Sequence, residues 1–103
     1  MALFKIVPRE AWEGRDGVVP WSQTDRADGF VHLSGADQVR GTAEKWFAGR
    51  TDLLVVEIDP ELLTPSTLRW EPSRGGQLFP HVYGDIPLEA VIGVETLRID
   101  ERP

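Results

Sequence analysis

The sequence holds no cysteine at all, which excludes a disulfide framework, thiolate catalysis and a cysteine-ligated zinc finger. It contains only two histidines, His32 and His81, and no H-E-x-x-H spacing, so a zinc centre has too few ligands to build on. No apolar run approaches the roughly 18 residues that a membrane span needs. The start of the chain, Met1-Ala2-Leu3-Phe4-Lys5, is too short in its apolar part for a signal peptide, and a cytoplasmic protein that depends little on cofactors is the expectation. Walker loops, a dinucleotide G-x-G-x-x-G and a serine nucleophile elbow are all missing. Positive charge is also scarce in the second half. Residues 1–50 carry seven charges of each sign, whereas residues 51–103 carry four positive and ten negative, which accounts for the whole net charge of −6. An acidic surface repels phosphate backbones, so general nucleic-acid binding is disfavoured, although a local arginine pocket would still be compatible.

What is present is the composition of one soluble domain. The 103 residues are 41% hydrophobic and 27% charged, and four Trp and four Phe supply large core side chains. A chain of this length can bury enough apolar surface to fold without metals or disulfides. Leu3–Val7 reads as a first strand. Pro8 opens a short helix, Arg9 to about Gly14, with Trp12 on its inner face. Gly14, Gly17 and Pro20 punctuate a loop, and Asp28-Gly29 is a turn that leads into the strand Phe30-Val31-His32-Leu33. Ser34 is read as the N-cap of the next helix, with Asp37 three residues on as in a capping box. Val39, Ala43, Trp46 and Phe47 then fall on one helical face, and Gly49 closes the helix. Leu53–Ile58 is a buried strand that Asp59-Pro60 stops. Leu68–Glu71 is a further strand, Pro72–Pro80 a loop, and His81–Gly84 a short extended piece. Val91–Ile99 is the last strand, with Gly93 at a bulge. Strands outnumber helices, so the class is α+β: one domain with a split, twisted, mostly antiparallel sheet and two helices.

Both histidines sit beside residues that make tight backbone turns. One reading is structural, each ring being a half-buried strand residue satisfied by a backbone hydrogen bond. The functional reading is that both rings converge on one cleft and present ring nitrogens to a polar ligand, with Tyr83 nearby. Tyr83 and Trp70 could stack on a ligand ring or simply fill the core. Arg74-Gly75-Gly76-Gln77 could offer main-chain amides to an anion, and Glu71 and Asp85 flank that loop as candidate carboxylates.

Asp28-Gly29-Phe30-Val31-His32-Leu33-Ser34 and Leu78-Phe79-Pro80-His81-Val82-Tyr83-Gly84, joined by the strand Leu54-Val55-Val56-Glu57-Ile58-Asp59, resemble the small bacterial domain of unknown function 952 over nearly the whole chain. That resemblance implies a fold similar to the ADP-ribosyltransferases, with the NAD-dependent RNA 2′-phosphotransferases as enzymatic relatives by pattern. It implies that His32 helps hold the nicotinamide half of NAD, and that Lys5 stands on the first strand where a ligand-contacting polar group is expected. The pocket implied for NAD or a related nucleotide is lined by Lys5, His32, Ser34, His81 and Tyr83, with His32 and His81 as the catalytic candidates. The reaction implied is transfer of ADP-ribose or a related glycosyl group. The alternative is a binding or interaction module that keeps the fold without the chemistry. The RNA-binding extra domain of the phosphotransferases has no counterpart here, in line with the acidic charge.

Overall fold

The computed structural model describes residues 1–97. The chain runs β1 (Leu3–Pro8), α1 (Arg9–Glu13), α2 (Gln23–Asp28), β2 (Val31–His32), β3 (Ser34–Gly35), α3 (Val39–Trp46), β4 (Leu53–Ile58), β5 (Leu68–Pro72), β6 (Leu78–Val82) and β7 (Val91–Thr96). Two sheets form, and every strand pair in them is antiparallel. One is four-stranded in the order β3-β1-β4-β7, and the other is three-stranded in the order β2-β6-β5. The α+β class and the split antiparallel sheet therefore stand. None of the helices described is long and apolar enough to cross a membrane.

β1 and β4 form the centre of the larger sheet, paired in full register from Leu3 opposite Ile58 to Pro8 opposite Leu53. Side chains alternate across the pleat, so each strand serves two faces. Leu3, Val7, Val56 and Ile58 join Val19, Val31, Leu33, Val82 and Ile86 in the main core, whereas Ile6 and Leu53 face Ala43 of α3. Trp12 of α1 packs against the main core, as its position in the sequence predicts. Gly93 lies at a register shift: it pairs with Glu57, while Val91 pairs with Ile58, so the expected bulge is present. The last strand is described from Val91 to Thr96; Ile99 lies outside the described residues.

Four expectations need correction. The first is the helix count, three among the described residues rather than two, because Gln23–Asp28 is helical. Its N-cap is Ser22, whose side chain accepts from the Asp25 N–H at 3.0 Å while the Asp25 carboxylate accepts from the Ser22 N–H at 2.9 Å. Gly29 closes it with φ of 86°, a conformation that costs glycine nothing. The second is Ser34, which is no N-cap. Its backbone pairs with Phe4 in β3 and its hydroxyl meets Thr42 Oγ1 at 3.1 Å. The helix starts only at Val39, after Gln38, whose side chain makes no cap bond there. Gln38 instead braces the turn, accepting from Gly35 N–H at 2.9 Å and donating to the Leu78 carbonyl at 2.7 Å. Third, the end of α3 differs: Phe47 rather than Gly49 is the C-cap, its N–H bonding to the Ala43 carbonyl, and Trp46 is not on the buried face but 67% exposed, with the Lys45 ammonium 5.6 Å from its ring centroid. Fourth, Leu78–Pro80 belong to β6 rather than to a loop. Pro80 stands where the pairing with β2 stops: its carbonyl accepts from Leu33 N–H, but it has no N–H to return the bond, and the β2 ladder ends at His32.

Candidate functional site

β2 and β6 place His32 and His81 directly opposite one another as cross-strand partners. Residues so paired project on the same face of a sheet. The rings meet edge to face with centroids 5.3 Å apart. Both histidine rings thus lie on one face of the smaller sheet. Phe30, just before β2, is the ring around which the others gather. It stacks on His81 at 4.1 Å with planes 27° apart, and lies 4.5 Å from His32 and 5.0 Å from Tyr83.

Behind His32 lies a buried ionic network. Asp25 has no solvent exposure and Lys5 is 5% exposed, yet their charged groups are 2.8 Å apart. Lys5 Nζ also donates to the His32 carbonyl at 3.2 Å. Asp25 Oδ1 accepts from the His32 N–H at 3.0 Å and faces His32 Nδ1 at 2.7 Å. The other ring nitrogen, Nε2, faces Asp28 Oδ2 at 3.0 Å. Burial alone would push the Asp25 carboxyl up, but the bond from His32 and the Lys5 ammonium outweigh it and hold the group well below the usual carboxylate range. Burial pulls the Lys5 ammonium below its ordinary value, and the Asp25 charge opposes that shift. Such a pair is costly to bury and costlier to break.

Behind His81 lies a second carboxylate. Glu71, on β5, places Oε1 2.7 Å from His81 Nδ1, and the same oxygen accepts from the Tyr83 hydroxyl at 2.8 Å. The bond from His81, then that from Tyr83, lowers the Glu71 carboxyl from its ordinary value. The Tyr83 hydroxyl is raised, chiefly because its proton is held by Glu71. The Arg69 guanidinium lies 5.4 Å from the Tyr83 ring centroid. His81 is 4% exposed, and its Nε2 is buried with no hydrogen-bond partner among the described residues.

The expected pocket lining is thus brought together in part. His32, His81 and Tyr83 share one cluster. Lys5 reaches it from the other sheet, but its ammonium is engaged by Asp25 and by the His32 carbonyl. Ser34 is buried on β3 against Thr42. Among the described residues no group of three or more His, Asp or Glu is placed to hold a metal ion. Asp25, Asp28 and Phe30 also belong to the cluster and are not among the expected site residues. Ser22-x-x-Asp25 is a capping pattern visible in the sequence, and Phe30 stands two residues before His32, but neither signal says that the side chain is buried against the histidines.

The chain is a small α+β protein in which two histidines on adjacent antiparallel strands are each aimed by a carboxylate from a neighbouring element. The sequence profile of the family described as "Protein of unknown function (DUF952)" matches residues 6–94, and the chain belongs to that family. Among solved structures, the crystal structure of protein CC0527 from Caulobacter crescentus is similar at 37% identity with a TM-score of 0.90, over 97% of this chain and 89% of that one. The solution NMR structure of CC0527 is similar at 38% identity with a TM-score of 0.80, over 93% of this chain and 84% of that one. No curated protein matches.

Proposed function

We propose that the His32–His81 cluster is a binding site for a small molecule, NAD or a related nucleotide. The observation that carries this reading is His81 Nε2, a buried ring nitrogen without a hydrogen-bond partner among the described residues. Leaving such a group unsatisfied costs about 1–3 kcal/mol, which a ligand atom at this position would recover. Phe30 and Tyr83 add aromatic rings to the same cluster, the kind of side chain that stacks on a planar nicotinamide or base. The likeness of the sequence motifs to the ADP-ribosyltransferase group supports the choice of NAD. In the transfer reaction that this likeness implies, the bond from ribose C1′ to the nicotinamide nitrogen breaks and its electron pair leaves with nicotinamide. An acceptor hydroxyl forms the new C1′–O bond, and its proton passes to His81 Nε2.

A second reading is a binding module that lacks this chemistry. It is favoured by the engagement of Lys5 with Asp25, which leaves that ammonium committed within the protein rather than to a pyrophosphate. Asp28 and Glu71 likewise already hold histidine nitrogens.

Thermal unfolding with NAD, ADP-ribose and AMP tests the site, because a ligand of the native state must raise the melting temperature. The expected result is a rise with at least one of them that His81→Asn abolishes. No rise with any of the three at millimolar concentration would overturn the proposal. Nicotinamide release from NAD separates the two readings: turnover lost in His81→Asn supports transfer, and binding without release supports the module.

A further inference from the structure

Resting on the reading of His81 as the ligand-facing group, we propose that Glu71 is a positioning residue that fixes His81 in the Nδ1–H tautomer, so that Nε2 serves as a hydrogen-bond acceptor for a hydroxyl or amide N–H of the ligand. The argument is one of proton inventory. A carboxylate oxygen can only accept, so the 2.7 Å contact from His81 Nδ1 to Glu71 Oε1 needs a proton on Nδ1. The same oxygen already takes the Tyr83 hydroxyl proton at 2.8 Å, so Tyr83 and His81 both donate and Glu71 receives both. In the neutral ring the remaining nitrogen, Nε2, then carries a lone pair and no hydrogen. This nitrogen is also buried and has no hydrogen-bond partner among the described residues.

The backbone holds the arrangement. Glu71 on β5 pairs with Phe79 on β6, two residues from His81, and Arg69 pairs with His81 itself. A residue and the diagonal neighbour two positions along the facing strand share one face of the sheet, within reach of long side chains. Phe30 stacked on the His81 ring at 4.1 Å limits its rotation. Ring orientation and tautomer are therefore both set before a ligand arrives.

The consequence concerns ligand chemistry. An acceptor nitrogen recognises a ribose hydroxyl, a carboxamide N–H or an exocyclic amine. It repels a fully ionised phosphate or carboxylate, which brings only acceptor oxygens. The two histidines therefore face different partners: His32 has both ring nitrogens engaged by carboxylates, and His81 keeps one nitrogen for the ligand.

Long-range ¹H–¹⁵N correlation spectra of the histidine rings in the free, full-length protein read the tautomer directly, whether or not any ligand binds. The expected spectrum has a protonated Nδ1 and an unprotonated Nε2 for His81. In Glu71→Ala the population should move towards the Nε2–H form that free histidine favours, and Glu71→Gln, which keeps a carbonyl acceptor, should restore part of it. Addition of adenosine should shift the His81 Nε2 resonance in the wild-type protein, and inorganic pyrophosphate should not. An Nε2–H tautomer, or a doubly protonated His81 at every pH where the protein is folded, would overturn the proposal from the wild-type spectrum alone, whatever the variants do. An unchanged tautomer in a folded Glu71→Ala would overturn the role of Glu71, and a resonance that responds to pyrophosphate but not to adenosine would overturn the assigned ligand chemistry.

Discussion

Replacing Asp25 by Asn is nearly isosteric but removes the charge facing Lys5, which is 2.8 Å away and 5% exposed. The amide can still accept from the His32 N–H or from the Ser22 N–H, so the capping of α2 survives in part. What remains is a buried ammonium with no counter-charge, or a lysine forced to give up its proton. Breaking a buried pair on one side costs about 3–5 kcal/mol. A chain of this length has a total stability of about 5–15 kcal/mol, so the change removes a large share of it. With a urea dependence of about 1–3 kcal/mol per molar, the unfolding midpoint should fall by at least about 1 M. Adding Lys5→Met removes the stranded charge while keeping most of the volume, so the double variant should be more stable than Asp25→Asn alone. The pH profile carries the same signature. Asp25 titrates lower in the folded chain than in the unfolded one, so its contribution is fully present above the ordinary carboxylate value of about 4 and is lost as the pH falls below it. That acid-side loss should be shallower in Asp25→Asn. A destabilisation below about 1 kcal/mol, or no recovery in the double variant, would refute the reasoning.

Ser22→Ala removes the cap of α2 and should cost about 0.5–2 kcal/mol, with faster hydrogen exchange at the Asp25 amide. Ser34→Ala loses one hydroxyl contact to Thr42 and should leave the exchange rates of the first turn of α3 unchanged; faster exchange there would restore Ser34 as a cap. Gly29→Ala meets no steric obstacle but must hold φ near +86°, and denaturation should show a loss of about 1–2 kcal/mol. The Glu71 carboxyl lies below its ordinary value in the folded chain, so the bonds it accepts from His81 and Tyr83 should persist as the pH falls through about 4, and the Tyr83 ring signals followed by NMR should change only at more acid pH.

The parts of the fold legible in the sequence are those governed by local pattern. Leu53–Ile58 is rich in β-branched residues and ends at Asp59-Pro60, and it lies where the pattern places it. The bulge at Gly93 follows from a glycine inside a run of β-branched residues, Val91, Ile92 and Val94. The Ser34 expectation fails because Ser-x-x-Asp before a helical stretch looks the same whether the backbone turns there or pairs with another strand. The pairing with Phe4 is a contact thirty residues away that no local signal announces. The same four-residue pattern at Ser22 is a true capping box, hidden in the sequence because the glycines and proline before it read as loop. The histidines could be nominated as a pair because turn residues frame both. Their register across β2 and β6, and the carboxylates that aim them, come from tertiary placement.

The ion pair at Lys5 and Asp25 joins a strand of one sheet to the helix that leads into the other, and the atoms that steady the fold also fix His32. Variants at Lys5 and Asp25 would therefore lower stability and disturb His32 together, so a loss of binding in them would not by itself place either residue in the proposed site. The arm through Glu71 and His81 sits at the rim, with Glu71 and Tyr83 partly open to solvent, and its loss leaves the sheet-to-sheet tie in place. Libraries that hold residues 5 and 25 constant and vary 71, 81 and 83 would separate what the protein does from whether it survives.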